Sequence, residues 1–261
     1  MSRRPALRFF CLLGLALLCG AGLRADETRG GIAFVKGLSG SLTADGRDLS
    51  KHESFDPVGQ TIVSGPSGRS CLVFSNRMAL VLEPDTTLNV VKFRQALPDG
   101  SAATTDNVEM ARSQIELKLE RGGFALAQVQ PRATSSLTIE LPSGTLSGRV
   151  SAMIVSLDSA PPQVAMLDGT MRLSRNSGRP LVLQSGQWLD LGKTSNLSTS
   201  GMLRTLDTTE RKAVSDQIAT AQTNYRLVVF SPDEDDGWET QVRIPKSSAR
   251  SAAKNDFMIH N

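Results

Sequence analysis

Apolar and polar residues alternate with a period of two along most of the chain between residues 32 and 191. The clearest runs are residues 115–120 and 137–141, in which every second residue is apolar. Such alternation is typical of a β-strand that buries one face. Residues 78–82 are apolar throughout, which predicts a strand buried on both faces.

Turn-forming sequences that contain glycine separate these runs. They are Asp45-Gly46, Pro66-Ser67-Gly68, Asp99-Gly100, Gly122-Gly123, Ser143-Gly144, Asp168-Gly169 and Ser185-Gly186. Glycine supplies the positive φ that tight turns need. Many short strands divided in this way predict an all-β body, either a β-solenoid or a β-sandwich-like fold. Units of similar size in residues 68–93 fit a solenoid coil or a hairpin meander, and residues 97–107 are predicted to be a long surface loop.

The pattern changes after Leu191. Either Asp207 or Thr208 can cap a helix predicted near residues 208–223, in which Val214, Ile218 and Ala221 form one apolar stripe. A β-hairpin is predicted from Tyr225 to Ile244. Because the stripe must be buried, we expect the helix and hairpin to cover one edge of the β body.

The N-terminal segment has the layout of a secretory signal peptide. Three arginines precede an apolar run at residues 9–18, and Ala25 stands at the predicted cleavage point. The run is shorter than the about 20 residues that a membrane-spanning helix needs. We therefore expect a mature protein that starts at Asp26, in the periplasm or cell envelope, with no stable transmembrane span. The alternatives are a retained anchor and a lipoprotein that begins at Cys19.

These observations predict four regions. They are a signal peptide at 1–25, a β domain at 26–192, an appendage of linker, helix and hairpin at 193–245, and a mobile tail at 246–261.

Charge argues against nucleic-acid binding. Cleavage after Ala25 removes four of the 29 basic residues and no acidic one, so 25 bases remain against 26 acids. A domain without a basic excess lacks the electrostatic attraction to phosphates that such binding requires.

Candidate chemistry is sparse. Only Cys71 remains in the mature chain, in an apolar strand, which predicts a buried, inert thiol without a disulfide. His52 lies in a polar stretch and is predicted to be an exposed surface residue, and no glycine-flanked serine lies on a strand-to-helix turn to act with it. The acidic cluster at residues 233–236 lacks the ligand spacing of a calcium loop. We therefore predict a protein that is not an enzyme, with no catalytic, cofactor-binding or metal-binding residues; Trp238, beside the acidic cluster, is the candidate platform for a glycan.

Four segments, in order, carry a resemblance to a known family. They are Leu119-Glu-Arg-Gly-Gly-Phe-Ala-Leu, Leu141-Pro-Ser-Gly-Thr-Leu-Ser-Gly-Arg, Val164-Ala-Met-Leu-Asp-Gly-Thr-Met-Arg-Leu and Leu183-Gln-Ser-Gly-Gln-Trp, with Pro84-Asp-Thr-Thr-Leu upstream. With these motifs, residues 60–192 resemble the periplasmic FecR domain, the sensor part of iron-dicitrate-type transmembrane regulators. The chain departs from the family at Val150-Ser151, where a Gly-Thr pair is usual.

The resemblance implies a non-catalytic interaction or sensing domain that binds a protein partner in the cell envelope. Such contact would use exposed strand edges or a loop face. The alternative is a structural or polysaccharide-associated envelope protein.

Overall fold

A computed structural model describes residues 28–97, 107–175, 179–192, 201–233 and 237–243. Within these ranges the chain forms strands β1 to β19 and one helix, α1. The prediction of an all-β body with a C-terminal helix and hairpin is therefore confirmed. The predicted signal peptide, the centre of the 97–107 loop, the linker at 193–200 and the tail at 246–261 lie outside the described residues.

The strands of the first half of the chain are mostly short. They are β1 (Thr28–Gly30), β2 (Ala33–Leu38), β3 (Leu42–Ala44), β4 (Arg47–Asp48), β5 (Ser54–Phe55), β6 (Thr61–Ser64), β7 (Ser70–Phe74), β8 (Met78–Leu82) and β9 (Thr87–Ala96).

The second half contains the longest strands and the helix. Its elements are β10 (Ser113–Arg121), β11 (Gly123–Gln128), β12 (Ser136–Leu141), β13 (Gly144–Ser156), β14 (Gln163–Ser174), β15 (Leu181–Gln184), β16 (Gln187–Asp190), β17 (Leu203–Thr205), α1 (Thr208–Leu227), β18 (Val228–Pro232) and β19 (Trp238–Val242).

Strand pairing arranges the β body in two layers. The first, here called the open sheet, runs β4, β3, β6, β9, β10, β12, the start of β13, the end of β14, and β15. The second, here called the covered sheet, runs β5, β2, β7, β8, β11, the end of β13, the start of β14, β16 and β17. β1 pairs with the end of β9.

Strands that bend from one layer into the other join the two sheets on both sides. β13 and β14 stay paired along almost their whole length while they cross between the layers. On the opposite side, the β2–β7 pairing continues into the β3–β6 pairing through the bonds Ser39 N–H to Arg69 O and Gly65 N–H to Ser41 O. The body is thus a flattened, closed barrel with two sandwich-like faces.

Of the two architectures that the sequence left open, this one is sandwich-like. A solenoid would stack successive strands in parallel, whereas β7 and β8 pair antiparallel and β9 then crosses into the open sheet. The similar units in residues 68–93 are therefore a hairpin followed by a crossing strand.

The core lies between the two sheets. Phe74 on the covered sheet and Phe93 on the open sheet meet edge to face, with ring centroids 5.6 Å apart. Both side chains belong to one buried cluster that draws residues from each layer. Burying a side chain of this size contributes about 1.5–3 kcal/mol, so this contact helps to hold the two layers together.

The covered sheet is buried on its second face as well. Val73, Val81 and Ala125 point away from the core and pack, in a second buried cluster, against Val214 and Ile218 of α1. All five residues of β8 are buried, which confirms the strand predicted to be buried on both faces. The expectation that the helix covers an edge of the β body is wrong, because α1 lies on a sheet face.

Helix α1 begins where the sequence indicated and ends about one turn later. Asp207 is the N-cap: its side chain accepts from the Glu210 N–H at 2.8 Å, and the Glu210 carboxylate accepts from the Asp207 N–H at 3.0 Å. The predicted strand start at Tyr225 is wrong, because Tyr225 continues the apolar stripe and its ring is buried in the last turn of the helix. The first hairpin strand starts at Val228 instead.

The C-terminal hairpin forms its own two-stranded sheet beside the N-terminal strands. The indole N–H of Trp238 donates to the Gly30 carbonyl oxygen at 2.8 Å. The hydroxyl of Ser54, on the edge strand β5, donates to that of Thr240 at 3.1 Å. These bonds attach β19 to β1 and β5.

Candidate functional site

A cavity of about 800 Å³ lies where two neighbouring strands part. The end of β13 pairs with β11, and the last such pair is Ala127 with Ala152. The start of β13 pairs with β12 instead, and the pair of this ladder nearest to the groove is Gly148 with Leu137. The wedge between the continuation of β11 and the departing β13 is the groove, here called the fork groove.

The bend in β13 and β14 that opens the fork groove depends on two glycines. Gly148 and Gly169 have φ values of +157° and +131°. A side chain on Gly169 would lie 2.6 Å from the Cα atom of Val150, on the facing strand. The register also shifts between Val150 and Ala152, which is the signature of a β-bulge that bends a strand. The sequence predicted Asp168-Gly169 to be a turn, and this is wrong: both residues lie inside β14.

Hydroxyl and carboxamide side chains supply most of the polar lining of the fork groove. Its polar lining includes Asn107, Gln128, Gln130, Ser151, Thr170, Ser185 and Gln222. Arg149 and Asp168 add one charge of each sign, and Tyr225 adds an aromatic ring. Carboxamides donate and accept hydrogen bonds at the same time. The groove therefore suits a neutral ligand that carries both donors and acceptors.

A network of main-chain and side-chain hydrogen bonds fixes one wall of the groove. The main-chain N–H of Gln130 donates to the main-chain oxygen of Asn107 at 2.9 Å, and the main-chain oxygen of Gln130 accepts from the main-chain N–H of Glu109 at 3.0 Å. The Arg132 Nε–H donates to the main-chain oxygen of Glu109 at 2.9 Å. The segment around Glu109 is therefore bonded to the part of the chain that lines the groove.

The side chain of Glu109 is the buried centre of that network. Only 2% of the residue is exposed. The hydroxyls of Ser113 and Ser135 both donate to its carboxylate, and the Arg132 N–H donates at 3.2 Å. Burial raises the pKa of the Glu109 carboxyl, while the bonds from Ser113 and Ser135 act in the opposite direction. The hydroxyl cradle therefore offsets part of the cost of burying this group.

The sequence did not single out the residues of the fork groove. They come from β11, β13, β14, α1 and the connecting segments, which are far apart in the chain. A carboxamide or hydroxyl residue in one strand has no distinguishing local pattern. The two glycines at 148 and 169 were the available signal, because a glycine inside a strand pattern indicates a bulge or a close approach of main chains.

Two candidate groups from the sequence lie elsewhere. Cys71 is buried, as predicted, and burial raises the pKa of its thiol to about 12. His52 is exposed, also as predicted, and its ring stacks on Phe34 with centroids 5.9 Å apart. Neither residue lines the fork groove.

Trp238, the candidate glycan platform, lies outside the fork groove. It is half-buried, packs against the second cluster and donates its indole N–H to Gly30. Of the neighbouring acidic cluster, the structure describes Asp233, whose carboxylate accepts from the Gly237 N–H at 2.5 Å. Residues 234–236 lie outside the described ranges, and the described residues contain no grouping of His, Cys, Asp or Glu that could hold a metal ion.

Comparison with known proteins gives similarity at the level of structure. No protein-family model matches the chain, and no curated protein does. Two crystal structures from Parabacteroides distasonis ATCC 8503, each of a protein provisionally described as an anti-sigma factor, are similar to it. The structure at 2.50 Å has a TM-score of 0.39 and 10% identity, and the match covers 59% of this chain and 62% of that one. The structure at 1.65 Å has a TM-score of 0.40 and 8% identity, covering 59% and 63%.

The matched region thus spans less than two thirds of those proteins. The FecR resemblance of residues 60–192 stays a prediction. In the described part of the chain, no helix has both the length and the apolar character for a membrane crossing.

Proposed function

We propose that this chain is an exported, non-catalytic domain of the cell envelope that senses a protein partner by binding an extended segment of it in the fork groove. Export rests on the signal-like layout of residues 1–25. The observation that carries the binding proposal is the opening between β11 and β13, where adjacent strands part and polar side chains fill the gap.

An extended peptide presents N–H and C=O groups on both sides, and a sheet that has parted can pair with such a segment. Gln128, Gln130 and Gln222 line the groove with groups that satisfy either type. The Gln128 carboxamide already donates to the Val150 oxygen at 2.5 Å, so it bonds the main chain of the facing strand in the way that it would bond a ligand. The positive charge of Arg149 and the negative charge of Asp168 offset each other in the groove, which favours a segment without a large net charge.

The test starts with peptides selected from a displayed random library on the protein that begins at Asp26. Their affinity is then measured for a Gln130→Ala/Gln222→Ala variant and for a matched Gln241→Ala control, since Gln241 is exposed on β19, outside the groove. We expect a loss of about tenfold in the double variant, as two hydrogen bonds of about 0.5–1.5 kcal/mol each would give. Selected peptides that bind all three proteins equally, or a library that yields no binder, would refute groove binding.

A second candidate function is polysaccharide binding. The observation that favours it is the set of hydroxyl and carboxamide groups in the fork groove, beside which the largely buried Tyr225 lies. Those groups bond sugar hydroxyls as well as peptide groups. Soluble glycans and purified cell wall, tested on the same three proteins, decide between the two. Glycan binding that the double variant loses, with no peptide selected, would establish this alternative.

A further inference from the structure

A second cavity, of about 310 Å³, lies at the junction of β1, β9 and β10 on the open sheet. Three basic side chains line it, Lys92, Arg94 and Arg112, together with Thr28 and Gln114. From this lining we infer that the cavity, here called the basic pocket, binds an oxyanion, the phosphate or carboxylate group of a small molecule or a lipid. The inference does not depend on the fork groove, which shares no lining residue with it.

Strand register explains why these cations gather. β9 lies between β1 and β10, and Arg94 faces Gly30 on one side and Gln114 on the other. Lys92 faces Glu116 one step along the same pairing. A Cβ atom added at Gly30 would meet nothing within 4 Å. The space beside Arg94 is therefore open because its neighbour on β1 has no side chain.

The described lining of the basic pocket contains three basic residues and no acidic one. Lys92 pairs with Glu116 at 3.4 Å, with both side chains partly exposed, so the pair is weak. Among the described residues, no acidic side chain forms an ion pair with Arg94, which is exposed. An adjoining cavity adds the cation of Arg29 and the carboxylate of Asp56. Arg94 is therefore the lining cation that an anion can reach without displacing a described carboxylate.

The donors have the right chemistry for an oxyanion. A guanidinium group binds carboxylate or phosphate oxygens in pairs, and an ammonium group adds a point charge. The Thr28 hydroxyl and the Gln114 carboxamide can bond the remaining oxygens. The volume leaves room for the organic group to which the oxyanion is attached.

Binding of inorganic phosphate and of pyrophosphate, measured by calorimetry on the protein that begins at Asp26, tests the proposal. Arg94→Gln and Lys92→Gln are the pocket variants. Arg172→Gln is the matched control: it removes the same charge from the same sheet, at an exposed site on β14 outside the pocket. We expect affinity to fall about tenfold in each pocket variant, to stay unchanged in the control, and to weaken with added salt.

A parallel arm uses sedimentation with vesicles of phosphatidylglycerol and phosphatidylcholine. Vesicle binding that the pocket variants lose, without phosphate binding, would assign the oxyanion to a lipid headgroup, whereas the reverse result would assign it to a soluble ligand. If neither probe binds, or if Arg172→Gln weakens binding as much as Arg94→Gln, the pocket is not an anion site. Circular dichroism on each variant confirms that the fold is retained.

Discussion

The indole N–H of Trp238 donates a hydrogen bond to the carbonyl oxygen of Gly30, a residue 208 positions earlier in the chain. This bond attaches the C-terminal hairpin to the first strand. Trp238→Phe keeps an aromatic ring against the second buried cluster but removes the donor. We expect the free energy of unfolding to fall by about 0.5–1.5 kcal/mol, measured by urea denaturation. Faster hydrogen exchange confined to β18 and β19 would show that the loss is local; unchanged stability and exchange would contradict the role given to this bond.

Truncation separates the tail from the helix. A chain ending at Pro245 keeps every described element, and we expect its thermal stability and peptide binding to match those of the full mature protein. A chain ending at Leu191 lacks β17, α1 and the C-terminal hairpin, and it exposes Phe34, Val73 and Ile154 on the covered sheet. An apolar patch of this kind promotes association, so light scattering should detect oligomers. A monomeric, stable protein without the helix would contradict the account of the covered sheet.

Glu109 should make stability depend on pH. Burial raises the pKa of its carboxyl, so the folded state holds this proton more tightly than the unfolded state does. The resulting stabilisation is complete below the pKa of the unfolded state and is lost as pH rises through the higher folded pKa. The variant Glu109→Gln cannot titrate there. We expect its stability, relative to the original protein, to improve as pH rises from about 4 towards neutrality.

The matched control for this experiment is Glu140→Gln, an exposed carboxyl on β12. Urea denaturation across the pH range should give the same pH dependence for this control as for the original protein. If the stability of Glu109→Gln and that of Glu140→Gln depend on pH in the same way, Glu109 is not the group that makes stability depend on pH.

The bend glycines can be tested by adding one methyl group. Gly169→Ala places a Cβ atom 2.6 Å from the facing Val150 Cα atom, at a φ of +131°. We expect a loss of about 2 kcal/mol or more in the free energy of unfolding. Gly46→Ala is the control: its φ is +77°, but nothing lies within 4 Å, so the loss there should be about 1 kcal/mol. Equal losses of stability in the two variants would mean that the close approach of β13 and β14 does not contribute to the effect of Gly169→Ala.

Cys71 should resist modification in the folded state. Only 4% of the residue is exposed, and burial raises the pKa of the thiol to about 12, so almost no thiolate forms near neutral pH. In the chain that begins at Asp26, the rate of alkylation should therefore follow global unfolding as urea is added. Fast alkylation without denaturant would show that α1 opens readily from the covered sheet.

Several features of this protein follow from local sequence alone. The alternation in residues 115–120 is enough to predict a strand with one buried face, since side chains along a strand point to opposite sides. The capping pair of Asp207 and Glu210 places the start of the helix within a residue. The continuous apolar run at 78–82 indicates burial on both faces, which the structure shows. Each of these inferences uses only neighbours in the chain.

Only the tertiary structure decided the conformation of Asp168-Gly169, the position of the helix and the location of the two cavities. Asp168-Gly169 has the composition of a turn, but Gly169 pairs with Val150 in the facing strand and therefore lies inside β14. There the conformational freedom of the glycine allows the strand to bend. The helix lies on a face because the outward residues of the covered sheet are apolar too. The fork groove and the basic pocket exist only where strands distant in sequence part or pair. Such sites depend on which segments pair and in which register, and that is settled between segments, by the match of their buried faces and by the turns that join them.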